Sequence, residues 1–171
     1  MITFMEQIII VDKNDVVIGA KARSEVTPDD IYRCSALWIT DQSGNILLAQ
    51  RSFHKSHDAG KWGPAVAGTN AERESYEQNI MKEAAEEIGL KLKNPKKLAK
   101  KFFKNDTESY FAQWFTTVIR KNETLKPQKE EVEELGWFSR EDLQMLLKEM
   151  PDMFVDSAQD IWPELFLADN I

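Results

Sequence analysis

One cysteine, Cys34, is all that the chain carries. That excludes an internal disulfide and any metal site built from several thiolates, and it fits a reducing, cytoplasmic setting. No stretch of about 18 or more apolar residues exists to form a membrane-spanning helix. The N-terminal MITFMEQIIIVDKND has neither the basic start nor the long apolar run of a secretory leader. Positive charge is also short: 22 Lys and Arg stand against 29 Asp and Glu, a net charge of −7. General binding to nucleic acid or to an anionic membrane is therefore not expected, because such partners attract basic surfaces. An anionic substrate would need a cation supplied locally. Repeats and low-complexity segments are missing as well. What is present, 171 residues of which 42% are hydrophobic and 30% charged, suits one folded domain over residues 1–171 with a real core.

Short β-branched runs at Gln7–Val11 and Val16–Gly19, separated by Asp-Lys-Asn-Asp, predict an N-terminal hairpin over about 6–20. Strands are expected at Cys34–Thr40 and Ile46–Gln50 around the turn Asp41–Asn45, then a loop at Ser52–Lys61. Further strands are expected at Leu98–Phe103, Tyr110–Ile119 and Val132–Phe138. Ser75 with Gln78 three residues on matches a capping box, and Gly89 suits the left-handed end of the helix between them. A second helix follows Ser139 and stops at Pro151. The tail Phe154–Ala168 reads as helical but broken near Pro163, so the C-terminal helices occupy about 139–168. Strand clusters alternating with helices indicate an α/β or α+β layered domain.

The helix after Ser75 carries KEAAEEIGL, Lys82 to Leu90. At about 100° per residue, Glu83, Glu86 and Glu87 share roughly a third of the circumference, and each like-charged neighbour costs a few tenths of a kcal/mol. Met81, Ala84, Ala85 and Ile88 are expected to group on the opposite side and pack. A glutamate-rich face is ordinarily a solvated one; here its surroundings point elsewhere. From Gly68 the chain runs through five residues to Glu74, seven more to Lys82-Glu83, then Glu86-Glu87 and Gly89-Leu90.

This spacing resembles the signature of the Nudix hydrolase family, with Nudix box 68–90. The resemblance implies an α/β/α sandwich, a mixed sheet with the catalytic helix after a glycine-containing loop. It also implies Mg²⁺ or Mn²⁺ held by Glu83, Glu86 and Glu87 with Gly68 close by. Hard divalent cations take oxygen ligands and convert carboxylate repulsion into coordination. The implied reaction is attack of water on a diphosphate linked to another group X, in a small organic diphosphate such as a nucleoside diphosphate derivative. Lys82 stands where the family has arginine and loses the bidentate fork of a guanidinium. Which glutamate is the general base stays open. Glu74 is expected to be structural, as a partner of Lys82 or as a carboxylate at the helix N-terminus, and Gly68 to let the backbone come close. Family members often dimerise, which allows a homodimer.

Acids outside the box, Asp106, Glu108, Glu130, Glu131, Glu133 and Glu134, are candidates to join the site or to be solvated loop residues. Arg33 and Arg51, at strand ends, are candidates to contact phosphate. Trp62, Trp114, Trp137 and Tyr110 could stack on a ring or fill the core. His54 and His57 lack the surrounding acids or thiols of a metal site. Within the family, IIIVDKNDVVIG, YRCSALWI and KWGPAVAGT resemble the branch of isopentenyl-diphosphate isomerase. That enzyme, however, has cysteine and histidine where Ala67 and Thr69 stand, and histidine where Tyr32 stands. Without thiol and imidazoles, the isomerase's proton transfers lack their carriers, and Cys34 reads as a buried filler. The expectation is a hydrolase, with isomerase-like activity or a non-catalytic diphosphate-binding domain as the alternatives.

Overall fold

A computed structural model describes residues 6–168. The termini of the domain assigned as 1–171, and the first five residues read for a leader, lie outside the described residues. Among the described residues, nine strands form one mixed sheet: β1 Gln7–Val11, β2 Val17–Ala22, β3 Ile31–Thr40, β4 Ile46–Arg51, β5 Trp62–Pro64, β6 Val66–Thr69, β7 Lys96–Lys104, β8 Ser109–Val118 and β9 Val132–Phe138. Three helices, α1 Tyr76–Ile88, α2 Arg140–Glu149 and α3 Ala158–Ala168, cover its faces. β3 is the spine. It pairs antiparallel with β1, β4 and β6, and parallel with β8 along its whole length.

The composition of β3 explains its place. Side chains alternate across a strand, and from Ala36 to Ile39 both sets are apolar and buried. Ala36 and Trp38 join a core with Leu143 and Leu147 of α2 and Ile161, Trp162 and Leu165 of α3. Leu37 and Ile39 join a second core with Ile80, Ala84 and Ile88 of α1. A sheet covered on both faces is the sandwich that was expected. Trp38 sits at the centre of the first core, edge-on to Trp114, Trp162 and Phe166.

Trp62–Thr69, for which no element was expected, forms two short strands whose backbone pairs with β4 and β3. The structure revises two expectations. The tail is not broken at Pro163, since α3 runs continuously from Ala158 to Ala168. Proline removes one backbone donor, and here Ile161, Trp162, Leu165 and Phe166 are all buried in the core, which outweighs that single loss. The second revision concerns α1. Its buried residues are Asn79, Ile80, Ala84 and Ile88, whereas Met81 and Ala85 face solvent. Glu83 and Glu87 therefore border the buried stripe rather than lying opposite to it.

Candidate active site

Local chemistry fixes α1 at both ends. The Ser75 hydroxyl accepts from Gln78 N–H, the Gln78 side chain accepts from Ser75 N–H, and Gly89 closes the helix at φ 69°. Two contacts anchor it to the sheet: Ser35 Oγ donates to the Tyr76 carbonyl at 2.8 Å, and Asn79 Nδ2 donates to the Thr69 carbonyl at 3.1 Å. These place the glutamates over β6. A Cβ on Gly68 would lie 2.5 and 2.8 Å from Cδ and Oε1 of Glu83, so only glycine leaves room for that carboxylate against the backbone.

Glu83 accepts from Asn79 Nδ2 at 3.3 Å and faces Lys82 Nζ at 3.4 Å. Lys82 also pairs with Glu74 at 2.8 Å, and Glu74 accepts from Ala71 N–H at 2.9 Å and from Asn79 at 3.0 Å. Burial acts against the charge on Lys82, but Glu74 and Glu83 outweigh it and raise its pKa. Burial raises the Glu83 pKa against the pull of Lys82. Glu87 accepts a long bond from Ala67 N–H, 3.4 Å. Burial, with repulsion from Glu83 and Glu131, pushes its pKa up to about 8. Glu86 is exposed on the outer side of the ridge.

All three glutamates line a cavity of about 620 Å³. Glu108, Glu131 and Arg51 reach the same cavity from three other parts of the chain. Glu131 pairs with Lys55. Arg51 donates through Nε and Nη2 to the His57 carbonyl, at 3.2 and 3.1 Å. Glu108 accepts from the Tyr32 hydroxyl at 2.7 Å. Arg33 is not brought in: it is bonded to Asp15 at 2.6 Å and stacked on Tyr76, on the α1 face of β3. Gly89 ends the helix and would meet Lys126, away from the ridge. Tyr110 and Trp114 line the cavity, while Trp62 packs edge-on to Phe138 and Trp137 packs in the α1 core. His57 lines the cavity and His54 does not.

Sequence reasoning missed Arg23 and Lys55 as lining residues. Lys55 could have been found from its place in the loop Ser52–Lys61. Arg23 carries no local signal, since it enters through a 3-10 turn after β2. The Cys34 thiol, beside Thr69, is pushed up to about 12 by burial, so it is not a ready nucleophile.

Among the described residues, no three Asp, Glu, His or Cys side chains are drawn together tightly enough to hold an ion. Lys82 and Asn79 hold Glu83, and Glu86 extends outward. The donor set nevertheless suits a hard divalent cation. It consists of oxygens, it lines one cavity, and the half-buried Glu87 is opposed by two other carboxylates with no cation bonded to it among the described residues. A cation on this wall would relieve that repulsion.

A family model described as the NUDIX domain matches residues 32–156. Over 144 residues the chain is 30% identical to a Streptomyces coelicolor protein named an uncharacterized Nudix hydrolase, covering 82% of this chain and 78% of that one. It is 33% identical over 86 residues to an isopentenyl-diphosphate Delta-isomerase of Serratia proteamaculans, covering 50% of this chain and 48% of the isomerase. The chain spans about half the length of several curated isomerases that it matches. Its fold superposes on the crystal structure of DR0079 from Deinococcus radiodurans with a TM-score of 0.76, over 95% of this chain and 99% of that one. At 16% identity this is a likeness of fold.

Proposed function

Because the chain belongs to the Nudix family, we propose that it hydrolyses a phosphoanhydride in a small organic diphosphate, a nucleoside diphosphate derivative, with the help of Mg²⁺ or Mn²⁺. The water oxygen bonds to phosphorus, the bridging P–O bond breaks, and a phosphate-bearing fragment leaves with the bridging oxygen. Glu83, Glu86 and Glu87 hold the cation, with the Gly68 backbone beside them. When bound, the cation would polarise phosphoryl oxygens and lower the pKa of a coordinated water. Lys82 orients Glu83 through the ion pairs it makes with Glu83 and Glu74. Arg51 and Lys55, which line the same cavity, offset the charge of the diphosphate in a protein of net charge −7. One of the three glutamates takes the proton released by water. On this reading the protein works in the cytoplasm, alone or as a homodimer, and binds neither nucleic acid nor membrane.

The observation that carries this reading is the bordering position of Glu83 and Glu87, both half-buried at a cavity wall, with the Glu83 carboxylate fitted over Gly68. It is tested with a panel of nucleoside diphosphate derivatives in ¹⁸O-water, with product masses locating the labelled phosphorus. Glu86→Gln and Glu87→Gln should each lower turnover by about a hundredfold or more; unchanged turnover in both ends the assignment. The likeness to named isomerases favours a second reading, allylic isomerisation of isopentenyl diphosphate. Ala67, Thr69 and Tyr32 argue against it, and the absence of double-bond migration at saturating substrate would remove it.

A further inference from the structure

The cavity continues along the sheet past the glutamates, and this second half has no part in the hydrolytic step. β3 and β8 run parallel and in register, so Tyr32 lies beside Tyr110 and Cys34 beside Ala112, while β6 sets Ala67 beside Ala36. Cys34, Ala36, Ala67 and Ala112 all line the cavity. Four small side chains on adjoining strands leave a low floor with no bulky side chain standing on it.

Tyr32 and Tyr110 close one end of this floor, with ring centroids 5.5 Å apart. There the Tyr32 hydroxyl donates to Glu108 Oε2 at 2.7 Å. The backbone of Glu108 is fixed as well: the Asn105 side-chain oxygen accepts from Thr107 N–H and Glu108 N–H at 2.8 and 2.9 Å. The other Glu108 oxygen has no hydrogen-bond partner among the described residues, and Glu108 faces the cavity. An ionised carboxylate accepts and cannot donate. A ligand group reaching it must therefore bring a hydrogen, and an oxo oxygen in the same place would set lone pair against lone pair.

Resting on the hydrolase reading above, we infer that X is a planar nitrogen ring with an exocyclic amino group. It lies over the small-residue floor and donates an amino hydrogen to Glu108, so Glu108 selects amino-bearing nucleoside diphosphates over their oxo counterparts. Tyr32 is the positioning residue that aims the carboxylate.

The test measures binding, so that it does not depend on turnover. Dissociation constants for the α,β-methylene diphosphates of cytidine and uridine, and of adenosine and inosine, are obtained by titration calorimetry in Mg²⁺. Wild type should bind the amino member of at least one pair about tenfold or more tightly, the scale of one hydrogen bond to a charged group. Glu108→Gln, whose amide can both donate and accept, should reduce that ratio to about threefold or less. Tyr32→Phe should lower it in the same direction. Equal binding of amino and oxo members by wild type overturns the inference, as does full discrimination retained in E108Q. Failure of the hydrolase reading would appear separately, as amino discrimination without turnover of any diphosphate by wild type.

Discussion

At Gly68 the absence of a side chain leaves the space that the Glu83 carboxylate fills. In Gly68→Ala that carboxylate has to swing away, which a flexible side chain does at small cost to the fold. The expected result is a fall in kcat of about tenfold or more, the scale on which misplacing a reacting or binding group acts, with weaker Mg²⁺ binding and thermal unfolding within a few degrees of wild type. Wild-type activity in G68A, with Glu83 unmoved in its crystal structure, would refute this. The Lys82–Glu74 ion pair was legible in the sequence, since both residues belong to the same motif. The Tyr32–Glu108 contact was not: those residues are 76 positions apart and meet only through the parallel register of β3 and β8.

Among the elements, α1 was the most legible, because its stop and start signals are local: Ser75 and Gln78 cap one end and Gly89 the other. Ser75→Ala should cost about 1 kcal/mol, lowering Tm by about 2–4 °C for a chain of this size while leaving activity within about twofold. A larger loss of activity would mean that the cap also positions the glutamates. The sequence misled about which side of α1 packs, since Met81 and Ala85 are apolar yet turn outward, and Asn79 is polar yet buried. Its amide is used to bond Thr69, Glu74 and Glu83, a cross-element role that composition does not reveal. The N-terminal hairpin, also expected, is pinned by a network with no sequence signal. Asp15, in the left-handed region at φ 62°, accepts from Arg33, Tyr76 and Lys100. Burial raises the Asp15 pKa, but these partners outweigh it and hold the carboxyl below the ordinary aspartate value. A depressed carboxylate contributes stability above its unfolded pKa and loses it as pH falls through the folded value. Asp15→Asn, which keeps the turn geometry, should therefore cost about 2–3 kcal/mol at neutral pH, somewhat less than a fully buried pair. Chemical denaturation should also show a shallower loss of stability than wild type below about pH 4. Equal acid-side slopes in the two proteins would show that the network is not what holds the hairpin.

On the scale of the whole molecule, the two cores form a sandwich that does not depend on the glutamates, while the glutamates work against it. In the cation-free protein Glu87 is crowded by burial, Glu83 and Glu131, and its pKa is pushed up to about 8. The sign is opposite to that of Asp15: an acid whose folded pKa exceeds its unfolded value of 4.5 favours folding while protonated. That contribution is lost as pH rises through the interval from about 4.5 to about 8. Cation-free wild type should accordingly lose Tm from mildly acid to mildly alkaline pH, whereas Glu87→Gln, with no charge to confine, should lose less and be the more stable protein at pH 8. Added Mg²⁺ should reverse the order. A ligand at a hundred times its Kd stabilises the native state by about 2.7 kcal/mol, and only the chain that keeps its ligands can gain this. Differential scanning fluorimetry of both proteins from pH 5 to pH 9, with EDTA or with Mg²⁺, separates the outcomes. Parallel pH profiles that ignore the metal would show that Glu87 holds no cation, whereas crossing profiles would mean that this ridge gives up stability in the free protein for a charge that a bound cation uses.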